Sequence, residues 1–259
     1  MSGSVTNQVI IQARTGSTRL PGKVLKMLAG HRVIDHVVYR CSRALNVDRV
    51  VVATTEETGD DEIENCCKEM GVPCVRGSSD DVLARFIKAS VRFPSKNIVR
   101  ITADCPMVDP AIIDCLLALH VSGRNDYTSN VIRPAFPPGF DAEVVATETL
   151  QRVHHIASLK SHREHVTLYI RENLENFKTG SLVWTGPDVN ARLTLDRQED
   201  YEVIRDVFDE LLAAGRLFSL YQVIELVSRK PELFEKNLDI DRFEGLHKSL
   251  DAENRECTI

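Results

Sequence analysis

From Val9 to Leu117 the chain alternates short apolar runs with segments of helical period, and this order restricts the fold more than any other feature. Val9, Ile10 and Ile11 read as a buried strand. From Val33, apolar residues recur at 33, 34, 37, 38, 41 and 45, a helical spacing. Arg49–Ala53 is a second apolar strand. The next helix carries Ile63, Cys66, Cys67 and Met70 and stops at Gly71. Val72–Val75 is a third strand, with Pro73 pointing to an edge or a strand start. Asp80 and Asp81 precede a helix with Val82, Leu83, Phe86 and Ile87, and Ile98–Ile101 is a fourth strand. Asp109-Pro110 opens a helix with Ile112, Ile113, Leu116 and Leu117, proline being suited to the first helical position. Strand and helix in strict alternation predict an α/β fold, a Rossmann-like and mostly parallel sheet with helices on both faces.

After Gly123 the rhythm changes. Pro134, Pro137, Pro138 and Gly139 mark a loop over a site, and polar helical stretches follow around 148–159 and 161–173. Phe177–Trp184 and Ala191–Leu195 read as strands, and Tyr201, Ile204, Val207, Phe208, Leu211 and Leu212 as a helix. Phe86, Phe208 and Tyr201 fit a core better than a platform for stacking a base. The tail after Asp241 reads as a helix or a loosely held segment. The organisation expected is one domain over residues 1–240, with a subregion at about 125–190 and a tail at 241–259.

A chain of 259 residues can bury a substantial core. No apolar run approaches a membrane span and no signal-peptide pattern opens the sequence, so a cytoplasmic protein without a membrane partner is expected. Seven cysteines lack any Cys-x-x-Cys pair, which fits reduced thiols. A net charge of −6 argues against a nucleic-acid partner, because phosphate backbones reward clustered positive charge.

In open parallel sheets, ligands bind at the carboxyl ends of the strands. Three polar clusters lie just past predicted strands. The first follows Ile11, where Arg14, Arg19 and Lys23 supply three cations within ten residues, while Gly16 and Gly22 allow close approach of backbone to an anion. This is not a P-loop. Five residues rather than four separate Gly16 from Gly22, and Val24 stands where Ser or Thr would reach a metal. A solvated Gly/Pro turn is the alternative. The second cluster is Thr102-Ala103-Asp104, where Asp104 is suited to a hard cation or to helix capping, a role Asp109 already fits. The third is Asp196, followed by Glu199, which matches a helix cap as well as it matches a metal ligand. His162 and His165 lie three apart but lack a third partner for a metal.

Taken together, "IIQARTGSTRLPGKVL", "VVATT", "RGSSDDVLARF", "VRITADCPMVDP", "REHVTLYIREN" and "RLTLDRQEDYEVI" resemble the cytidylyltransferases that activate acidic sugars. The similarity is greatest to the branch named for spore-coat polysaccharide biosynthesis protein F. It runs from Ile10 to about Asn237, with Ala103 where Gly is usual and Leu168 where Pro is usual. The resemblance implies a nucleotide-diphospho-sugar transferase type of fold with a small insertion for dimerisation and sugar binding. The partners it implies are CTP, an acidic sugar and a second copy of the chain, with Mg2+ as cofactor. It implies Arg14, Gly16, Ser17, Arg19 and Lys23 around the triphosphate, and Thr54, Arg76, Ser78, Asp81, Thr102 and Ala103 around the rest of the nucleotide. Asp104 and Asp196 would hold the metal, and Asp141, Glu143, Arg163, Glu164 and His165 the sugar. Catalysis would rest on Arg14, Arg19, Lys23 and Asp104. A sugar-1-phosphate nucleotidylyltransferase and a non-catalytic nucleotide-binding protein are the rival readings. A glycosyltransferase fits less well, because the only Asp-x-Asp element, Asp239-Ile240-Asp241, comes too late in the chain.

Overall fold

The computed structural model describes residues 5–212, 215 and 217–256. Cys257 and the last residues of the tail lie outside the described residues.

The alternating half folds as read. Strand β1 is Asn7–Gln12, and a hairpin of β2 (Met27–Leu28) and β3 (His31–Arg32) leads into α1 (Val33–Cys41). There follow β4 (Arg49–Thr55), α2 (Asp61–Met70), β5 (Cys74–Gly77), α3 (Val82–Arg92), β6 (Asn97–Thr102) and α4 (Pro110–Gly123). Gly71 ends α2 in the left-handed conformation, φ 68°, which its missing side chain permits. Asp109 caps α4 by accepting from the Ala111 amide at 2.9 Å.

The second half adds β7 (Tyr127–Ser129), β8 (Glu143–Ala146), α5 (Thr147–Ile156), α6 (Lys160–Glu164), α7 (Leu168–Glu172) and β9 (Thr179–Ser181). It closes with α8 (Gln198–Leu211), α9 (Leu220–Arg229) and α10 (Glu244–Glu256). The sheet has seven strands in the order β5-β4-β1-β6-β8-β7-β9. β5, β4, β1 and β6 are parallel, β8 runs antiparallel to β6 and β7, and β9 is parallel to β7. β5, the proline-led strand, is an edge as its sequence indicates.

Alternation within each strand sorts the core. Val9, Ile11, Val50, Val52, Val99 and Ile101 face one side with α1, α2, α4, α8 and α9. Ile10, Val51, Ala53 and Ile98 face the other with α3, α5 and α7. Each fully buried side chain of this size contributes about 1.5–3 kcal/mol relative to exposure. Among the described residues no helix is long and apolar enough to cross a membrane.

Three readings change. Ala191–Leu195 is not a strand. It is an extended buried segment whose amides go to loops, Leu193 to the Pro138 carbonyl and Leu195 to the Asp104 carbonyl, both at 2.8 Å. Gly139, φ 107°, lies so close that a β-carbon there would stand 2.4 Å from the Leu193 carbonyl oxygen. Of Phe177–Trp184 only Thr179–Ser181 pairs as a strand. The stretch 161–173 is two short helices rather than one, broken at Val166. That buried β-branched residue sits at φ 53°, a strained conformation that costs of order 1–3 kcal/mol.

Chain order places the site. From β1 the chain moves outward through β4 to β5, then returns to lay β6 on the opposite side of β1. The loops leaving β1 and β6 therefore diverge, opening a crevice at the carboxyl ends of these strands.

Candidate active site

A cavity of about 460 Å³ fills this crevice, within the usual range for small-ligand sites. Its floor is the loop after β1. The Thr15 carbonyl accepts from the amides of Ser17 (2.8 Å) and Gly22 (3.0 Å), folding the loop back on itself. Gly22, at φ 65°, makes the turn into the 3-10 helix Lys23–Leu25. Leu20 and Val24 anchor the loop in the core. Among the described residues, the amides of Gly16, Thr18 and Arg19 have no partner within the chain, leaving donors of the kind that cradle phosphate.

The loop is pinned by a residue that sequence reading passed over. Asp60 is 1% exposed and accepts five hydrogen bonds. The amide and hydroxyl of Thr15, at 2.8 and 2.7 Å, take one oxygen; the Thr54 hydroxyl and the amide and hydroxyl of Thr55 take the other. Burial would raise this carboxyl, but the hydrogen bonds outweigh it and hold it below the ordinary value. Three threonines around one acid were the available signal.

The electrostatic centre is Lys23. Its Nζ lies 2.7 Å from Asp104 Oδ2 and 2.8 Å from Asp196 Oδ1. The bond between the Leu195 amide and the Asp104 carbonyl brings these two aspartates together from the end of β6 and the approach to α8. Burial opposes ionisation of Asp104, yet the Lys23 ammonium holds its carboxyl at about 2, and the two acids in turn raise Lys23 despite its own burial. Asp196 also meets Arg19 at 2.9 Å and Arg192 at 2.9 Å. It does not cap α8. Asp200 does, accepting from the Arg197 and Asp196 amides at 2.9 Å each, so the capping pattern lies one residue further on than Asp196–Glu199.

Two carboxylate oxygens converging on one cation are the hard donor set that suits Mg2+, which keeps water and phosphate oxygens in its remaining positions. Among the described residues no group of three or more His, Cys, Asp or Glu converges as a protein-only metal cage. His162 instead meets Glu172 at 2.7 Å, and His165 meets the Ser249 hydroxyl at 3.0 Å.

The far wall, on the β8 side, is built around Glu143. This buried acid pairs with Arg100 and accepts from the Tyr127 and Thr167 hydroxyls. Arg100 and Arg171 hold it ionised against burial. Arg171 Nε has no partner, and both arginines line the cavity. Asp141 is tied to Arg242 at 2.6 Å. Helix α10 and the turn before it form the roof. Glu244 pairs with Arg19 (2.8 Å), Arg197 (2.9 Å) and Lys248 (2.9 Å), and the Ser249 hydroxyl donates to Glu164 at 2.8 Å. The tail after Asp241 is therefore part of the site, and burial beneath it holds His165 at about 4.

Of the residues expected here, Arg14, Gly16, Ser17, Arg19, Lys23, Thr102, Ala103, Asp104, Asp196, Asp141, Glu143, Glu164 and His165 line the cavity. Five stand outside its lining. Thr54 serves Asp60. Arg76 turns outward to Asp61, Glu64 and the carbonyls of Thr55 and Glu57. Ser78 accepts from the amides of Asp80 and Asp81. Asp81 caps α3 through the Ala84 amide at 2.8 Å and is gripped by Arg163 at 2.5 Å, which spends both. His162 is buried, and Arg163, Glu164 and His165 are half-buried.

A loop with open amides at the switch point of a mostly parallel sheet, with paired acids across from it, fits a nucleotidyltransferase of the Rossmann-like type. The family model described as Cytidylyltransferase matches residues 8–240, and the chain belongs to that family. It is 36% identical over 234 residues to the spore coat polysaccharide biosynthesis protein SpsF of Bacillus subtilis, covering 86% of this chain and 94% of that protein. A cytidylyltransferase structure from Leptospira borgpetersenii superposes with a TM-score of 0.85 at 33% identity, covering 89% and 97% of the two chains. The structure of CMP:2-keto-3-deoxy-manno-octonic acid synthetase complexed with CTP shares the fold, with a TM-score of 0.59 at 18% identity over 79% and 99%.

Proposed function

We propose that this chain transfers CMP from CTP to a hydroxyl of an acidic sugar of the ulosonic or nonulosonic type, releasing pyrophosphate, in the cytoplasmic synthesis of a surface polysaccharide or glycan. The observation that carries the reading is the convergence of Asp104 and Asp196 on Lys23, beside a loop with open amides. In this reading the sugar oxygen bonds to the α-phosphorus while the α–β phosphoanhydride bond breaks. The amides of Gly16, Thr18 and Arg19, with the Arg14 and Arg19 side chains, grip the triphosphate and offset charge on the leaving pyrophosphate. Arg14 is half-exposed with its nearest acid, Glu164, 3.9 Å away, so it is free to swing onto phosphate. Asp104 and Asp196 would hold Mg2+, which supplies further neutralisation of the phosphates when bound. Lys23 pairs with both acids until then, and with the metal in place it turns to the triphosphate and offsets charge on the leaving pyrophosphate.

The β8 wall supports an acidic acceptor. Arg100 is oriented by Glu143, and Arg171 has an unpaired Nε, so the pair presents positive charge where the acceptor enters. Guanidinium groups match carboxylate geometry, and a neutral sugar would leave the Arg171 Nε unsatisfied. The name of one relative, a spore coat polysaccharide biosynthesis protein, supports the polysaccharide part of this reading. The test is pyrophosphate release with four nucleoside triphosphates against acidic sugars and hexose 1-phosphates. Turnover with CTP and a ulosonic acid is expected; turnover with hexose 1-phosphates alone refutes the reading.

A further inference from the structure

Among the described residues that line the cavity, one buried cation is unused by the mechanism above. Arg85, in the second turn of α3, is 2% exposed and lines the cavity, yet its Nε and Nη1 have no hydrogen-bond partner. A buried guanidinium without acceptors is destabilising. The two nearest acids cannot relieve it. Both oxygens of Asp60 are taken by Thr15, Thr54 and Thr55, and those of Asp81 by the Ala84 amide and Arg163. Burial and the neighbouring Arg14 charge both press on Arg85, lowering it to about 10. Gly77, at the end of β5, makes its placement possible, since a β-carbon there would stand 3.1 Å from Arg85 Cγ.

We infer that Arg85 reads the nucleobase, donating to the adjacent O2 and N3 acceptors of cytosine and thereby setting the preference for CTP over UTP. This assignment rests on the cytidylyltransferase reading and deepens it. Position separates the base from the phosphates. The phosphate loop and the paired acids lie at β1 and β6, whereas α3 packs over β4 and β5, on the opposite side of β1 from β6. A nucleotide with its triphosphate on the loop reaches this end with its base. Val82 lies three residues before Arg85 on the same helical face and also lines the cavity. An apolar wall beside a donor fork suits a planar ring with a polar edge better than it suits a phosphate. Discrimination follows from donor chemistry. Guanidinium can only donate, and cytosine offers two neighbouring acceptors, while uracil carries a hydrogen at N3 that faces the fork with a second donor.

The test compares Arg85→Lys with the wild type in kcat/KM for CTP and UTP, and in inhibition by inorganic tripolyphosphate. Lysine keeps the charge and much of the stem but not the planar fork. The expected result is a fall of about 10- to 100-fold for CTP, corresponding to one charge-assisted hydrogen bond, with UTP turnover and tripolyphosphate inhibition within about twofold of wild type. Gly77→Ala, which displaces the Arg85 stem by a few tenths of an ångström and leaves the guanidinium present, should change the CTP/UTP ratio in the same direction by a smaller factor. Equal losses for CTP, UTP and tripolyphosphate overturn the assignment in favour of a phosphate contact. An unchanged CTP/UTP ratio in both variants overturns it outright. If the wild type itself shows no preference for CTP, the cytidylyltransferase reading falls and takes Arg85 with it. If the wild type prefers CTP and both variants keep that preference, only the Arg85 assignment falls.

Discussion

Lys23→Met removes the cation that Asp104 and Asp196 share while retaining most of the side-chain volume. Asp196 keeps Arg19 and Arg192, each at 2.9 Å, so the loss falls mainly on Asp104, which has no second ion-pair partner among the described residues. Lys23 holds the Asp104 carboxyl at about 2, against an ordinary aspartate near 3.9. At 1.36 kcal/mol per pH unit, and discounted for the fifth of the side chain that remains exposed, that is about 2 kcal/mol. The sign is fixed by the depressed value: this stabilisation is present above pH 4 and is lost as pH falls toward 2. The assay is urea unfolding at pH 7 in EDTA. The variant is expected to unfold with about 2 kcal/mol less stability, and Mg2+ is expected to restore part of the difference, because the freed carboxylates then bind the divalent cation. Turnover should fall by at least about 100-fold through the lost contact to charge developing in the transition state. A variant as stable as wild type in EDTA, and indifferent to Mg2+, would falsify the shared-cation reading of the site.

Three further outcomes are expected. Asp60→Ala strands the hydroxyls and amides of three threonines and frees the loop, costing about 3 kcal/mol in unfolding experiments and raising KM for CTP about tenfold; an unchanged KM shows that Thr15 is not what holds the loop. Glu244→Gln removes an anion that competes with phosphate for Arg19, so KM for CTP should fall several-fold in steady-state assays, whereas a rise shows that α10 is held by this pair and is needed in place. His120 is 3% exposed, and burial holds it at about 4, below its unfolded value near 6.5. Its contribution is whole above pH 6.5 and is lost on acidification toward 4, so melts at pH 7 and pH 5 should differ by roughly 2 kcal/mol from this residue, and His120→Gln should remove that part of the slope.

The elements legible in the sequence were those whose signal is local. β1, β4 and β6 centre on apolar runs because both of their faces are buried, and α1 to α4 carry apolar residues at helical spacing, with Asp81 and Asp109 capping α3 and α4. β7 and β8 escaped notice. Tyr127–Ser129 is short and polar, and β8 begins with Glu143, an acid buried only because Arg100, Tyr127 and Thr167 surround it. Ala191–Leu195 has the composition of a strand and the burial of one, but Pro138 and Asp104 supply its partners in place of a ladder. The α9 segment does carry a readable pattern in Leu220, Val223 and Leu226.

For the site, the sequence by itself determined the inventory and much of the position. Three cations and two glycines after a buried strand, and single aspartates after two other segments, are facts of chain order, and parallel topology sends such segments to one end of the sheet. Tertiary structure decided which of those side chains face inward. Arg76, Asp81 and Arg163 look as eligible in the sequence as Arg85, yet the first three are consumed by neighbouring acids, carbonyls and amides, and only Arg85 is left buried and unpaired against the cavity. Likewise only the fold brings Asp104 within reach of Asp196, 92 positions later, through one backbone hydrogen bond to Leu195. Residue type fixes what a group can donate or accept. Partnership depends on contacts between distant parts of the chain, and those exist only once the sheet has ordered them.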